Sequence, residues 1–299
     1  MEWSQSVKLS SRWDRLRALG AMTDNPASAD DSAGIRAGAT AAALGLPACG
    51  YAEHAEVFVF NCPPYASAYL SGEGGLRRQD TDQISGFWRI IGQPVPDEPD
   101  HLAELLDLYA LLGEGAEEPD PPAATETLKQ LRHSLFWEHL WPWLPAYLGA
   151  VRDLPAAALV AWAELTLQTL RQEHARGGKL PAALREAAPP VRADRGLDEL
   201  VSGLITPIRS GMILTRRAVA AGADQVGAGQ RIGRRRTALR VMFEQEPERT
   251  ASWLADEAAR WAQRHLAVAF GDQAQQWWAE RATATARALH GDRPGGAGD

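Results

Sequence analysis

Asp97-Glu98-Pro99-Asp100-His101-Leu102-Ala103-Glu104-Leu105-Leu106-Asp107-Leu108-Tyr109-Ala110-Leu111-Leu112-Gly113 is the stretch on which the fold class turns. Proline at a first helical position forfeits no hydrogen bond, and acids there suit the positive end of the helix dipole. The pattern therefore predicts a helix opening at Pro99. Leu102, Leu105, Leu106, Tyr109 and Leu112 recur at helical spacing and form its expected buried stripe. Gly113 is expected to end it. A second face carries Asp100, Glu104 and Asp107 at i, i+4 and i+7, which lines up three carboxylates.

Working upstream, residues 79–91 place Ile84, Phe87, Trp88 and Ile91 at helical spacing and stop at Gly92, with Pro94 and Pro96 beyond. Residues 52–60 precede the stop Pro63-Pro64. Their Val57-Phe58-Val59-Phe60 has strand propensity but is too short for periodicity to decide, and is read as the end of a helix. Helices are expected over residues 3–21 and 33–44, separated by turn residues 25–32. Downstream, an acidic, proline-rich connector spans residues 114–123. A helical region over 125–151 follows, broken near Pro142 and Pro145 where proline removes a backbone donor. Residues 155–175 form another helix, with Leu159, Ala163, Leu167 and Leu170 inward and Gly177-Gly178 ending it. After the loop at Pro189-Pro190, helices are expected over 247–269, with Leu254, Ala258, Trp261 and Val268 on one side, and over 272–289. Residues 197–246 read as helical too, weakened by Gly222, Gly227, Gly229 and Gly233.

Alanine and leucine dominate and β-branched residues are sparse, so composition agrees with an all-α fold. The expected organisation is N-terminal helices (residues 1–50), a helical core (51–178), a helical C-terminal extension packed on it (179–290) and a disordered tail (291–299). The formal net charge of −7 disfavours nonspecific nucleic-acid binding and suits a basic partner. Two cysteines, Cys49 and Cys62, make no metal or redox spacing and fit a reducing compartment. No apolar h-region and no run of about 18 apolar residues is present, so a cytoplasmic protein without membrane insertion is expected.

Three stretches carry a family likeness. The first is Pro63-Pro64-Tyr65-Ala66-Ser67-Ala68-Tyr69-Leu70 with Gly72-Glu73-Gly74. The second is Phe87-Trp88-Arg89, Gly92 and Glu98-Pro99-Asp100-His101-Leu102. The third is Phe136-Trp137-Glu138-His139-Leu140 with Trp143-Leu144-Pro145. Together they resemble the TorD/DmsD/NarJ family of molybdoenzyme chaperones over residues 52–175. Residues 204–217 resemble longer TorD-like proteins less specifically. The resemblance implies an all-α, non-catalytic protein, monomeric or dimeric, with no cofactor of its own. Its implied partner is the catalytic subunit of a molybdopterin-containing oxidoreductase, whose twin-arginine leader it binds while that subunit's cofactor is loaded. The Glu98 to His101 element is the candidate site on this likeness.

The residues themselves are compatible with that role. Between residues 79 and 120 there are eleven acids, and Arg89 is the one lysine or arginine. Carboxylates grip guanidinium in two-pronged, charge-assisted bonds. Candidates for binding the leader are Glu98, Asp100, His101, Glu104 and Asp107, with Tyr65, Tyr69, Trp88 and Tyr109 as aromatic walls for its apolar segment. The same acids could instead be a helix cap and a solvated face, and His101 a helix-start histidine making local hydrogen bonds. Trp137, Trp141 and Trp143 could form a sticky surface or plain core.

A second feature is basic. Residues 209–240 hold eight arginines against the single acid Asp224. Arg231, Arg234 and Arg235 are the candidates there for an anionic cofactor such as molybdopterin dinucleotide. A nucleic-acid-binding regulator using this segment is the competing function, and pairing within the chain is the plainer alternative. Thr215-Arg216-Arg217 mimics a twin-arginine motif but is internal and lacks an apolar follow-on. Residues 227–233 miss dinucleotide glycine spacing by one residue. His133 and His139, six apart, fall on different helix faces, and no hydrolase nucleophile elbow occurs.

Overall fold

The computed structural model describes residues 9–24, 32–72, 78–117, 122–173, 180–229, 234–268 and 272–291. Among them the protein is all-α, with sixteen α-helices and no strand. The helices are α1 Arg12–Ala21, α2 Ser32–Ala43, α3 Tyr51–His54, α4 Ser67–Leu70, α5 Arg78–Ile90, α6 Leu102–Glu117, α7 Pro122–Leu135, α8 Leu144–Arg152 and α9 Ala157–Glu173. They continue as α10 Ala182–Arg185, α11 Leu197–Ile205, α12 Pro207–Ser210, α13 Arg216–Val226, α14 Arg235–Gln245, α15 Pro247–Val268 and α16 Gln273–His290. Two further segments, Ala55–Asn61 and Phe136–Leu140, are wound as π-helix. The chain divides into two compact units, Met1–Ser67 with Leu76–Leu144 and Leu148–Arg176, and Ala68–Gly75 with Pro145–Tyr147 and Gly177–Asp299.

In the first unit α1 packs on α6, and α6 on α7. Among the described residues the first helix starts at Arg12, and residues 3–8 of the expected span lie outside them. Ser11 closes a capping box in which its hydroxyl accepts from Asp14 N at 3.0 Å while the Asp14 carboxylate accepts from Ser11 N at 3.0 Å. That reciprocal pair satisfies two donors that a helix start leaves open, so the helix begins where the box is. Trp162 is fully buried and its indole N–H reaches the Leu19 carbonyl at 2.9 Å, which ties α9 to α1.

The Val57-Phe58-Val59-Phe60 run is helical, but wide. The Cys62 N–H reaches the Val57 carbonyl at 2.6 Å, and Asn61 donates to the Glu56 carbonyl at 2.7 Å, which closes the wider turn before Pro63. Trp141 N closes on Phe136 O at 2.8 Å in the second π-segment, ahead of Pro142. Trp137, Trp141 and Trp143 are buried core residues, not a sticky surface.

The decisive helix is longer and later than its sequence suggests. It opens at Leu102, because the Leu102 N–H donates to Pro64 O at 2.8 Å and Asp100 O accepts from Ala66 N at 3.1 Å. This short antiparallel bridge of Tyr65 with His101 holds residues 98–101 in a turn. It also continues through Gly113 to Glu117, so the first four residues expected in the connector are helical. The predicted stripe is buried throughout.

In the second unit α15 packs on α16, α11 on α14, and α13 on α14 and α15. Leu254, Ala258 and Trp261 are buried as expected, and Val268 is half-buried. The glycine-weakened region is helical over α11 to α14, with residues 230–233, Gly233 among them, outside the described residues: Gly222 is buried inside α13, and Gly227 ends that helix in a left-handed conformation (φ 78°). Of the expected tail, residues 291–299, Gly291 caps α16 and residues 292–299 lie outside the described residues, as does the stop at Gly177-Gly178.

Two buried histidines, one in each unit, are held strongly toward the neutral form. Burial pushes His139 down to about 4, and His265 to about 4 although its Nε2 lies 2.8 Å from Gly211 O. The unfolded chain titrates these groups near 6.5, so between pH 6.5 and 4 it binds protons that the folded chain refuses. Stability should be complete above pH 6.5 and fall as pH drops toward 4, by about 3 kcal/mol per histidine. Urea unfolding at pH 7 and pH 4.5 measures this. A flat profile, or one unchanged in His139→Gln and His265→Gln, would contradict it.

Candidate functional site

A groove of about 450 Å3 opens in the first unit. Four stretches line it, and the bridge of Tyr65 with His101 binds two of them, the loop over residues 63–67 and the turn before α6. The π-helical segment and α3 contribute His54, Phe58 and Val59. The loop contributes Pro63, Pro64 and Tyr65. The turn and the start of α6 give Glu98, His101 and Glu104, and the residues after α1 give Thr23 and Asp24. Three carboxylates line the groove, with no lysine or arginine among the lining residues.

The electrostatics are those of a cation-accepting surface. Burial raises the Asp24 carboxyl above its usual range, although His101 pulls the other way. Burial also raises Glu104, helped by the neighbouring charges of Asp107 and Asp24. Mutual repulsion and desolvation thus leave acids whose charged forms gain from an added cation. Glu98 is exposed and accepts the Tyr65 hydroxyl at 2.8 Å, and burial together with that bond pushes the phenol up to about 12. His101 Nδ1 lies 3.9 Å from the Asp24 carboxylate, and burial lowers the imidazole more than Asp24, Glu98 and Asp100 raise it. His54 is buried. Its pKa falls by desolvation, against backbone groups of residues 22–24, and neither ring nitrogen completes a hydrogen bond among the described residues.

Val59 brings an exposed apolar side chain to these acids, and two more exposed apolar residues lie on the same short stretch of chain. Val59 is 58% exposed and Phe60 48%, on the outer side of the π-helical segment, and Tyr51 is 50% exposed on α3. Large apolar side chains left this open in one neighbourhood mark a contact surface more often than chance scatter does.

The sequence-based candidates separate by location. Glu98, His101, Glu104 and Tyr65 meet in the groove. Asp100 is 7% exposed, and its carboxylate accepts Ser67 N at 3.0 Å, so it fastens the loop and is not on the α6 face with Glu104. Asp107 pairs with Arg17 at 2.7 Å, and Glu114 takes two more bonds from the same guanidinium. Tyr69 is buried edge-on to Tyr147 at 5.3 Å within the second unit. Trp88 is 5% exposed with its indole N–H unpartnered among the described residues, and Tyr109 is buried with its hydroxyl 3.0 Å from Glu173. None of these three lines the groove. Asp24, His54 and Val59 were missed, since only tertiary packing brings them beside residue 101.

On the basic side, Arg231 lies outside the described residues and Arg234 is exposed before α14. Arg235 donates to Leu214 O at 2.7 Å. Arg240 pairs with Asp198 and Glu244, and Arg209 with Glu199, so much of the arginine-rich segment is matched within the chain. Among the described residues no group of histidine, cysteine and acids could hold a metal, and no helix is long and apolar enough to cross a membrane.

Residues 39–148 match the family model of the nitrate reductase delta subunit, and the groove lies largely inside that span. The match supports a TorD/DmsD/NarJ-type family for this segment. No curated protein and no solved structure matches the chain. The TorD/DmsD/NarJ family consists of chaperones and assembly factors, not catalysts, so the match supports a nitrate-reductase-associated chaperone role in general.

Proposed function

We propose that the protein holds the twin-arginine leader of a molybdopterin oxidoreductase in this groove until the client's cofactor is in place, acting in the cytoplasm before export or assembly. The observation that carries the reading is one groove that joins Asp24, Glu98 and Glu104 to the exposed Val59, whose chain neighbour Phe60 is exposed as well. A leader presents paired guanidiniums followed by an apolar segment, and these two surfaces complement its two halves. Exposed ion pairs contribute only about 0–1 kcal/mol each, so the exposed apolar side chains must supply much of the affinity and the acids the register. In this reading residues 51–178 recognise the leader together with Asp24 after α1, Glu98 and Glu104 receive arginine, and Asp100 positions the loop that carries Tyr65.

Calorimetry with a synthetic leader peptide tests it. Saturable binding is expected, weakening at least about tenfold in Asp24→Asn/Glu98→Gln/Glu104→Gln. A comparable loss is expected when the peptide's arginine pair is replaced by glutamine. Val59→Ser/Phe60→Ser should weaken binding without steepening its salt dependence. Absence of binding, or an unaltered affinity in the triple variant with its helical circular dichroism intact, would refute the assignment.

A further inference from the structure

The second unit has a cavity of its own, of about 570 Å3, walled by Ala188, Pro189 and Pro190 and lined by three guanidiniums, Arg192, Arg195 and Arg209, against one carboxylate, Glu199. Arg209 is nearly buried, with its side chain 11% exposed. It is fixed by a 2.6 Å bond to Glu199 and by its Nε–H on the Pro189 carbonyl at 3.3 Å. Behind the same wall a fourth guanidinium, Arg281 of α16, donates to the Ala188 carbonyl at 2.8 Å and stacks over the Trp277 ring at 4.4 Å.

The charges do not cancel. Arg192 is matched by Asp194, and Arg209 by Glu199. Arg195 and Arg281 are in ion-pair contact with no carboxylate among the described residues. Desolvation, then the charge of Arg209, lowers Arg281 below the usual guanidinium range, so the half-buried pair repel each other. A structural arginine cluster normally brings its own acids. Here Arg192 and Arg209 have one acid each, while Arg195 and Arg281 add guanidiniums without one, an arrangement with donors left to share an incoming oxyanion.

We propose that this cavity is an anion site, separate from the leader groove, which seats a phosphate group on Arg192, Arg195 and Arg209. The forked donors of arginine match phosphate oxygens two at a time, and the proline wall keeps the floor rigid without adding competing donors. Phosphate is favoured over a simple carboxylate because the surplus exceeds one charge. The phosphate could be inorganic or part of a small organic ester.

Thermal unfolding and calorimetry of the full chain with inorganic phosphate, pyrophosphate and glycerol phosphate, at fixed ionic strength, test the proposal. Saturable stabilisation by at least one of them is expected, with the preferred probe distinguishing a free from an esterified phosphate. Arg192→Gln/Arg195→Gln, both exposed and therefore tolerant of change, should weaken that binding roughly tenfold or more. Arg249→Gln, exposed and away from the cavity, should leave it unaltered. No response beyond that to sodium chloride, or equal binding by the double variant, would overturn the site. Leader binding should persist in the double variant, which separates failure here from failure of the proposed function.

Discussion

Gly211→Ala is expected to destabilise the second unit by more than about 4 kcal/mol, among the largest effects of any single methyl group in the chain. Two independent penalties add. Gly211 sits after α12 at φ 75°, a left-handed conformation that costs a non-glycine residue about 1 kcal/mol. A Cβ there would also lie 2.2 Å from Ala282 N and 2.7 Å from Ala282 Cα. Those atoms are backbone in the middle of the 18-residue α16, which cannot swing away as a side chain can. Moving the segment would strain the bond between His265 Nε2 and Gly211 O (2.8 Å) and that from the Thr285 hydroxyl to Ser210 O (2.8 Å), all buried. Gly227 provides the comparison. Its φ is 78°, but the nearest outside atom is the tip of Arg249 at 3.5 Å, so Gly227→Ala should show only the conformational penalty. Urea unfolding of both variants decides the matter. Equal losses would mean that the approach of α16 contributes nothing.

That contrast also explains what could be read from the chain unaided. Helix existence was legible because it rests on period: the stripe Leu102, Leu105, Leu106, Tyr109 and Leu112 and the row Leu159, Ala163, Leu167 and Leu170 are buried as their spacing required. Boundaries were less so, where a tertiary bond outcompeted a local signal. Pro99 looks like a helix start, yet the carbonyl of Pro64 takes the amide of Leu102 and the helix opens there. Glycine was the least legible residue. Gly113 reads as a stop and Gly222 as a weakness, yet both lie inside helices where an indole ring occupies the space of a side chain, Trp13 at one and Trp253 at the other. For the groove, the acids of the Glu98 to Glu104 stretch were visible in sequence. Asp24, His54 and Val59 join them through α1 and the π-helical segment, which no local pattern announces. Asp100 shared their local pattern but is committed to Ser67 N.

Gly113→Ala should lower the stability of the first unit by about 3 kcal/mol, the cost of forcing extra volume into a packed core. An added Cβ would meet three ring carbons of Trp13 at 2.2–2.4 Å. A side chain can yield where backbone cannot, but this one is pinned. Its indole N–H donates to Glu117 at 2.9 Å, Arg12 and Arg132 stand 4.1 and 5.2 Å over the ring, and the ring meets Tyr109 edge-on at 6.1 Å. Turning it away gives up those contacts, whereas keeping it moves α1 off α6. Gly86→Ala in α5 is the control, since nothing lies within 4 Å of its added Cβ. It should stabilise by about 0.5–1 kcal/mol through propensity alone. In a Trp13→Leu background the Gly113→Ala penalty should shrink by at least about 1 kcal/mol, as contacting residues couple. If the two losses simply add, the ring is not the obstacle. The spacing of α1 and α6 also fixes Asp24, just beyond the end of α1, against His101 and Glu104 at the head of α6. Leader affinity measured well below the unfolding transition should therefore fall in Gly113→Ala and hold in Gly86→Ala. An unchanged affinity would place the control of groove width elsewhere than in the glycine that lets the two helices close.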